Sequence, residues 1–347
     1  MNARAWSMSL GITLLSAGAA HAAATVSDAA YGEDNCTLAA WPACPASGPC
    51  PSPASDSSDS VYHLDGFKLE PAIPAHQTSL SFVCPVHRTL FSGTGNTMKV
   101  QVSGQVPAQK AQSLKCTLYH TDVFGALLGS TSASKSTSTE GSAAQAFLSL
   151  SMSPGTPTGP YYVGCDLAND TIHNSSGGLY SYRSEETMTS PKNATSQSMF
   201  PTVCSPANPL NLNGITGSTP APSHFRTLYT GKTNNGLKNV GSGSAAVTCA
   251  MPNITSASTP RHVLAYITEA SASGAGSTCH LMARTPYYNN DMLAGVSGFT
   301  KTTSGSSAQR TLDFVDSSSE ITDPVVYTLE CTLKAGATIN SIQYGQF

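Results

Sequence analysis

The sequence predicts an all-β protein of two tandem antiparallel β-sandwich modules, jelly-roll or Ig-like, that arose by internal duplication and are stapled by disulfides. Three observations carry this. Cys84, Cys116 and Cys165 recur as Cys249, Cys279 and Cys331 at nearly the same spacing, so one cysteine-bearing unit is present twice. Apolar residues alternate with polar ones: Leu148, Leu150 and Met152 with Ser149, Ser151 and Ser153, and Tyr327, Leu329, Cys331 and Leu333 with Thr328, Glu330 and Thr332. A period of two bounded by Gly, Pro, Asn and Ser marks half-buried strands. No stretch shows a convincing three-turn amphipathic helix, and short strands at roughly 8–12-residue spacing suit a sandwich.

The copies align beyond their cysteines. The run from Tyr161 to Leu167 matches that from Tyr327 to Leu333, and Phe147 to Leu150 matches Thr311 to Phe314. Each copy closes on an aromatic-ended strand, at Leu179 to Arg183 and at Ile339 to Phe347. A Ser/Thr/Gly stretch follows in both copies, from Gly129 to Ser142 and from Gly298 to Ser307; the first, around Ser132, reads as a loop, and Ser184 to Val203 reads as a linker. These boundaries give a first module at residues 23–190, with a Cys/Pro-rich N-terminal loop, and a second at 191–347. The polar stretch from Pro49 to Ser60 reads as a surface loop.

The cysteines sit on the core face of their strands. Cys84 shares parity with Phe82 and Val86, Cys116 with Leu114 and Leu118, and Cys165 with Val163 and Leu167. Cys36, Cys44, Cys50, Cys84, Cys116 and Cys165 fall in the first module, and Cys204, Cys249, Cys279 and Cys331 in the second. Both counts are even. The expected pairing is Cys116 with Cys165 and Cys279 with Cys331 across neighbouring strands, Cys204 with Cys249, and one of Cys36, Cys44 or Cys50 with Cys84. The remaining two would close a small Pro-rich loop. None forms Cys-x-x-Cys, which removes zinc-ribbon, thioredoxin-type and c-haem readings.

An N-terminal Arg4, an apolar run from Met8 to Ala20 and a small-residue pattern at Ala20-His21-Ala22 have the layout of a bacterial-type signal peptide cut after Ala22. The protein is therefore expected to be secreted or periplasmic, where disulfides persist. Charged residues make up only 11% of the chain. After cleavage 16 basic side chains face 20 acidic ones, which gives nucleic acid or an anionic membrane nothing to hold. No later stretch reaches the length of a membrane-spanning helix, so no integral membrane segment is expected after signal removal.

Catalytic constellations are missing. Ser132-Ala133-Ser134-Lys135 fits Ser-x-x-Lys, but in a Ser/Thr-rich stretch and without partner motifs. His120, followed by Asp122, shares the inward parity of Cys116 and reads as a strand-end core histidine. No acid pair is shared by the copies, and neither cofactor nor metal is expected. Tyr162, Tyr287 and Tyr288 are the ligand-binding candidates, because adjacent strand residues face opposite sides and an outward ring beside Asn and Asp can stack on a sugar. The competing reading has such rings filling sheet edges or the contact between modules.

The expected function is a non-catalytic binding or structural module at the cell surface or in the periplasm, with a polysaccharide, an envelope protein or another copy as partner. An extracellular polymer hydrolase with a site between the modules is one alternative, and a self-assembling coat or fibre subunit another. Non-reducing peptide mapping of the exported protein is expected to find all ten cysteines bridged and no bridge between the modules.

Overall fold

The structure, a computed structural model, describes residues 24–32, 36–39, 62–65, 68–71, 79–86, 88–90, 97–109, 112–136, 138–153, 159–170, 175–188, 196–206, 225–251, 261–274, 276–284, 299–316 and 326–345. Among them there is no α-helix. The first half of the chain supplies β1 (Ala24–Gly32), β2 (Thr37–Leu38), β3 (Tyr62–Asp65), β4 (Lys68–Pro71), β5 (Ser79–Val86), β6 (Arg88–Leu90), β7 (Thr97–Val106), β8 (Ser113–Thr121), β9 (Leu127–Ser136), β10 (Ala144–Met152), β11 (Tyr161–Asp170), β12 (Ser175–Ser176) and β13 (Gly178–Met188). The second half supplies β14 (Ser196–Met199), a single 3-10 turn at Pro201–Val203, β15 (Cys204–Pro206), β16 (Phe225–Leu228), β17 (Gly236–Asn239), β18 (Ala245–Ala250), β19 (Arg261–Thr268), β20 (Thr278–Arg284), β21 (Phe299–Thr302), β22 (Gln309–Asp316), β23 (Val326–Leu333) and β24 (Thr338–Gly345).

The duplication is visible strand by strand. One sheet of the first sandwich runs β2-β5-β11-β8-β9, and its copy runs β15-β18-β23-β20-β21. The facing sheet pairs β10 with β7 and β7 with β13; its copy pairs β22 with β19 and β19 with β24. Beyond that, β13 pairs β4 and β1 along its length, as β24 pairs β17 and β14. Even an irregularity is repeated. The register of β7 on β13 skips between Leu179 and Ser181, and that of β19 on β24 skips between Ile339 and Ser341. All these pairings are antiparallel, so each half folds as a meander of local and returning strands that closes over its own core.

The alternating pattern places the cores. Val100, Val102, Leu148, Leu150, Val163 and Tyr182 fill the first, and Val247, Val263, Ile267, Phe314, Leu329 and Ile342 the second. Four disulfides, Cys36–Cys84, Cys116–Cys165, Cys204–Cys249 and Cys279–Cys331, lie inside these cores with Cα separations of 4.1, 4.1, 3.9 and 4.0 Å. Each joins neighbouring strands of one sheet, since Cys116 lies opposite Cys165, Cys279 opposite Cys331 and Cys204 opposite Cys249. All four belong to the duplicated five-strand sheet, two per copy. Cys44 and Cys50 lie outside the described residues, as do the Pro49–Ser60 loop and the signal-peptide segment.

Two local expectations are corrected. Most of the Gly129–Ser142 stretch is not loop: Leu127–Ser136 is the outer strand β9, paired to β8 over its whole length. Its outer face is exposed and its inner face, with Gly129, Thr131 and Ala133, is only half covered, so small and polar residues suffice and the strand shows no strong apolar alternation to read. Nor is Ser184–Val203 a free linker. Ser184–Met188 completes β13, and Ser196–Met199 is β14, held between β24 and β6. Small polar residues tolerated on a covered strand look the same in sequence as those of a connection.

The Cys116→Ala/Cys165→Ala double variant releases a bridge spanning 49 residues. It is expected to keep its strand content and lose about 2–4 kcal/mol of stability in a denaturant titration.

Candidate functional site

Tyr162 is the nominated ligand residue that the structure describes, and its position corrects that nomination. It points away from Tyr161 as pleating requires, but the face it occupies is covered and the ring is fully buried. It stacks on Tyr119 (5.1 Å between centroids, 17°) and on Phe200 (3.9 Å, 27°), and its hydroxyl donates to the Tyr229 carbonyl at 2.7 Å. The two sandwiches meet here, so the ring fills the contact between them. Tyr287 and Tyr288 lie outside the described residues.

Small and rigid features build this seam. Gly164, between Tyr162 and Asp166 on β11, leaves room for Tyr229: a Cβ there would lie 2.7 Å from Tyr229 Cε2. The turn after β8 makes the second contact. Asp122 Oδ1 accepts the N–H groups of Phe124 (2.9 Å) and Ala126 (2.7 Å), an Asx-type turn. That turn aims the Gly125 carbonyl at Asn235, which donates both its backbone N–H (3.0 Å) and its Nδ2 (2.8 Å). Gly125 has φ 76°, and a Cβ there would meet the Asn235 backbone at 2.1 Å. Beside it, Phe124 sets its edge on Tyr266 (5.3 Å, 89°) and Ser341 Oγ donates to the Val123 carbonyl at 2.7 Å. Finally β6 leaves the first half to pair with β14. Burial pushes the phenols of Tyr162, Tyr119 and Tyr229 above the ordinary tyrosine value, because the charged form would lose its water.

The catalytic candidates dissolve into architecture. His120 is buried in the first sandwich and stacks on Tyr161 (4.5 Å, 22°). Ser132 and Lys135 are three apart on strand β9, so their side chains leave opposite faces, and Ser132 Oγ instead hydrogen-bonds Thr117 Oγ1 at 2.8 Å. Among the described residues no group of three His, Cys, Asp or Glu side chains could hold a metal ion. No helix there is long and apolar enough to cross a membrane.

A further set of outward-facing residues lies on the outer face of β10-β7-β13. The pairing registers set Phe147, Ser103 and Ser181 in one row across the three strands, and Ser149, Gln101 and Arg183 in the next. They line a trough of about 500 Å³. Phe147 is 78% exposed. Ser103 and Ser181 hydroxyls lie 3.0 Å apart, and in the adjoining row Tyr180 donates its hydroxyl to Gln105 Oε1 at 2.8 Å. One apolar ring thus stands beside amide, hydroxyl and guanidinium groups along the trough. In the second copy the same positions hold Thr311, Tyr266 and Ser341, then Asp313, Leu264 and Gln343. There Tyr266 and Ser341 are taken up by the Val123–Gly125 turn of the first half. Among the described residues, no such turn covers the matching Ser103 and Ser181 of the first copy.

Sequence reasoning passed over Phe147 because it took the residue only as part of the duplicated strand. The signal was present: Phe147 falls on the polar parity of a strand whose inward residues are Leu148 and Leu150.

No protein-family model and no curated protein matches this sequence. Among solved structures, similarity is found to the N-terminal CBM22-1–CBM22-2 tandem domain of Xyn10C from Paenibacillus barcinonensis, at 10% identity over 80% of this chain and 91% of that one, with a TM-score of 0.26. A protein from Parabacteroides distasonis described as secreted shows 9% identity over 83% of this chain and 92% of that one, TM-score 0.20. The isomalto-dextranase of Arthrobacter globiformis T6, complexed with panose, shows 13% identity over 81% of this chain and 36% of that one, TM-score 0.27. At such TM-scores nothing of their ligands transfers to this chain.

Gly164→Ala is expected to drive Tyr229 off β11 and lower stability by about 1–3 kcal/mol, the usual result of overpacking. Because the seam phenols hold their protons in the folded state, stability is expected to be flat below the ordinary tyrosine value of about 10 and to fall as pH rises past it. Denaturation midpoints measured between about pH 8 and 11 check this, and Tyr162→Phe should blunt the alkaline loss.

Proposed function

We propose that this chain is an exported, non-catalytic tandem β-sandwich that binds polysaccharide through the outer face of β10-β7-β13. The observation that carries the reading is Phe147, a ring left 78% exposed amid Gln101, Ser103, Ser149, Ser181 and Arg183. A sugar ring presents an apolar C–H face and an equatorial rim of hydroxyls. The trough offers an aromatic surface for the first and donors and acceptors at hydrogen-bond height for the second. Phe147 stands on the less covered copy of a duplicated face, and that placement beside polar groups supports use in binding.

Export supports the same reading. The leader-like first 22 residues and the bridged cysteines suit a compartment beyond the inner membrane, where polysaccharide is encountered. Contacts across the seam tie the two sandwiches together beside this face. The second sandwich then acts as a brace for the first.

Purified protein is expected to be retained by at least one polysaccharide on a glycan array at micromolar concentration. Phe147→Ala should weaken that retention about tenfold, the loss of one stacked ring, while shifting the denaturation midpoint little, as exposed substitutions do. No retention on any glycan, or unchanged retention by Phe147→Ala, would sink the proposal. Sustained turnover of ester, glycoside or peptide substrates by the same preparation would overturn its non-catalytic part.

A further inference from the structure

A second feature sits at one end of the other sandwich. Glu269, Arg310 and Lys334 border a cavity of about 420 Å³, rimmed by Ser271, Ser273 and Gly276. Arg310 is the second residue of β22 and faces inward, opposite Ile267, at the position that Ala146 opposite Gly104 holds in the first copy. Replacing a core alanine by arginine puts a cation where the fold needs none.

Part of that guanidinium has structural work. Nε donates to the Ser307 carbonyl at 2.8 Å, and Nη2 donates to the carbonyls of Ala272 (2.8 Å) and Gly305 (3.1 Å), tying two loops together. The rest does not. Arg310 is only 6% exposed, and its Nη1 has no hydrogen-bond acceptor. Among the described residues no carboxylate pairs with it. Glu269, the acid bordering the same cavity, accepts the Ser277 N–H at 2.8 Å and the Thr303 hydroxyl at 2.7 Å through Oε1. A buried guanidinium without a paired counter-charge is costly, and among the described residues none forms an ion pair with it. The exposed Lys334 adds a second positive charge beside the cavity.

We infer that this cavity binds the oxyanion of a small acidic ligand, a carboxylate-bearing sugar or a free inorganic oxyanion, with Arg310 and Lys334 supplying the charge and Glu269 holding the loops that shape it. Guanidinium recognises carboxylate and phosphate alike, through charge-assisted hydrogen bonds. The site is independent of the Phe147 face, which lies in the first sandwich, so either can fail alone.

Isothermal titration of the full chain at low ionic strength, with sodium glucuronate, glucose and inorganic phosphate as separate probes, tests it. Glucuronate is expected to bind and neutral glucose not to. Phosphate displacing glucuronate supports a site for oxyanions in general; glucuronate binding that phosphate leaves untouched supports a site for the acidic sugar. Lys334→Ala, a surface change, should weaken binding about fivefold or more, and Phe147→Ala should leave it unchanged. Arg310→Gln should abolish it, and if that variant does not fold, Lys334→Ala carries the test. No binding of either anion at about 10 mM, or equal affinity for glucose and glucuronate, overturns the inference. So does unchanged affinity in Lys334→Ala and a folded Arg310→Gln.

Discussion

Where Gly164 lacks a side chain, Tyr229 from the second half of the chain lies directly on strand β11, flanked by Tyr119 and Tyr162. That contact turns two small sandwiches into one body, and the rest of the molecule follows from it. Around β5 and β11 the sheet of the first half becomes a middle layer covered on both faces: Phe82, Cys84 and Val86 face its own core, while Val83 faces Tyr162 and Phe200. Strand β24 is buried along its whole length for the same reason. Its polar residues are satisfied across the seam and beside it, Ser341 by the Val123 carbonyl and Asn340 by Asn235 and Thr268. An unsatisfied polar group there would cost about 1–3 kcal/mol, so the hydrogen bonds are a condition of the packing as well as a product of it.

Coupling the halves breaks the symmetry that duplication created. The two copies share strand order, disulfide placement and even a skipped register in the long central strand. Yet the face formed by β22-β19-β24 gives Tyr266 and Ser341 to the seam, and the matching face of β10-β7-β13 keeps Phe147 and Arg183 in water. One copy braces and the other presents. The same divergence appears at the sandwich end, where Ala146 in one copy is matched by the buried Arg310 in the other.

The disulfides explain how so weakly charged and serine-rich a chain holds these cores. Each bridge crosses between neighbouring strands of the sheet that bears it, and each is enclosed by Val, Leu and Phe side chains. Such enclosure keeps the sulfurs away from thiols and makes them structural. Inward parity of Cys84, Cys116 and Cys165 was legible in the sequence, and it agrees with the bridges found. Strand β9 was not legible, because its half-covered inner face is filled by small and polar residues that carry no strong apolar alternation. The burial of Tyr162 was not legible either: parity says which side of a sheet a ring leaves from, never what lies beyond it.

Local sequence by itself determined the all-β class, the two-fold repeat and the inward cysteines. These depend on periodicity and spacing, which are properties of neighbouring residues. Tertiary structure alone decided which outward faces are covered. The polar parity of β24 and the polar parity of β10 look alike in sequence, as Ser341 and Gln343 in one and Ser149 and Ser151 in the other. One is sealed beneath the turn at Val123–Gly125 and the other left open. That distinction rests on contacts between residues more than 200 positions apart, such as Ser341 and Val123, and on the absence of a single Cβ at Gly164, so no local pattern could encode it.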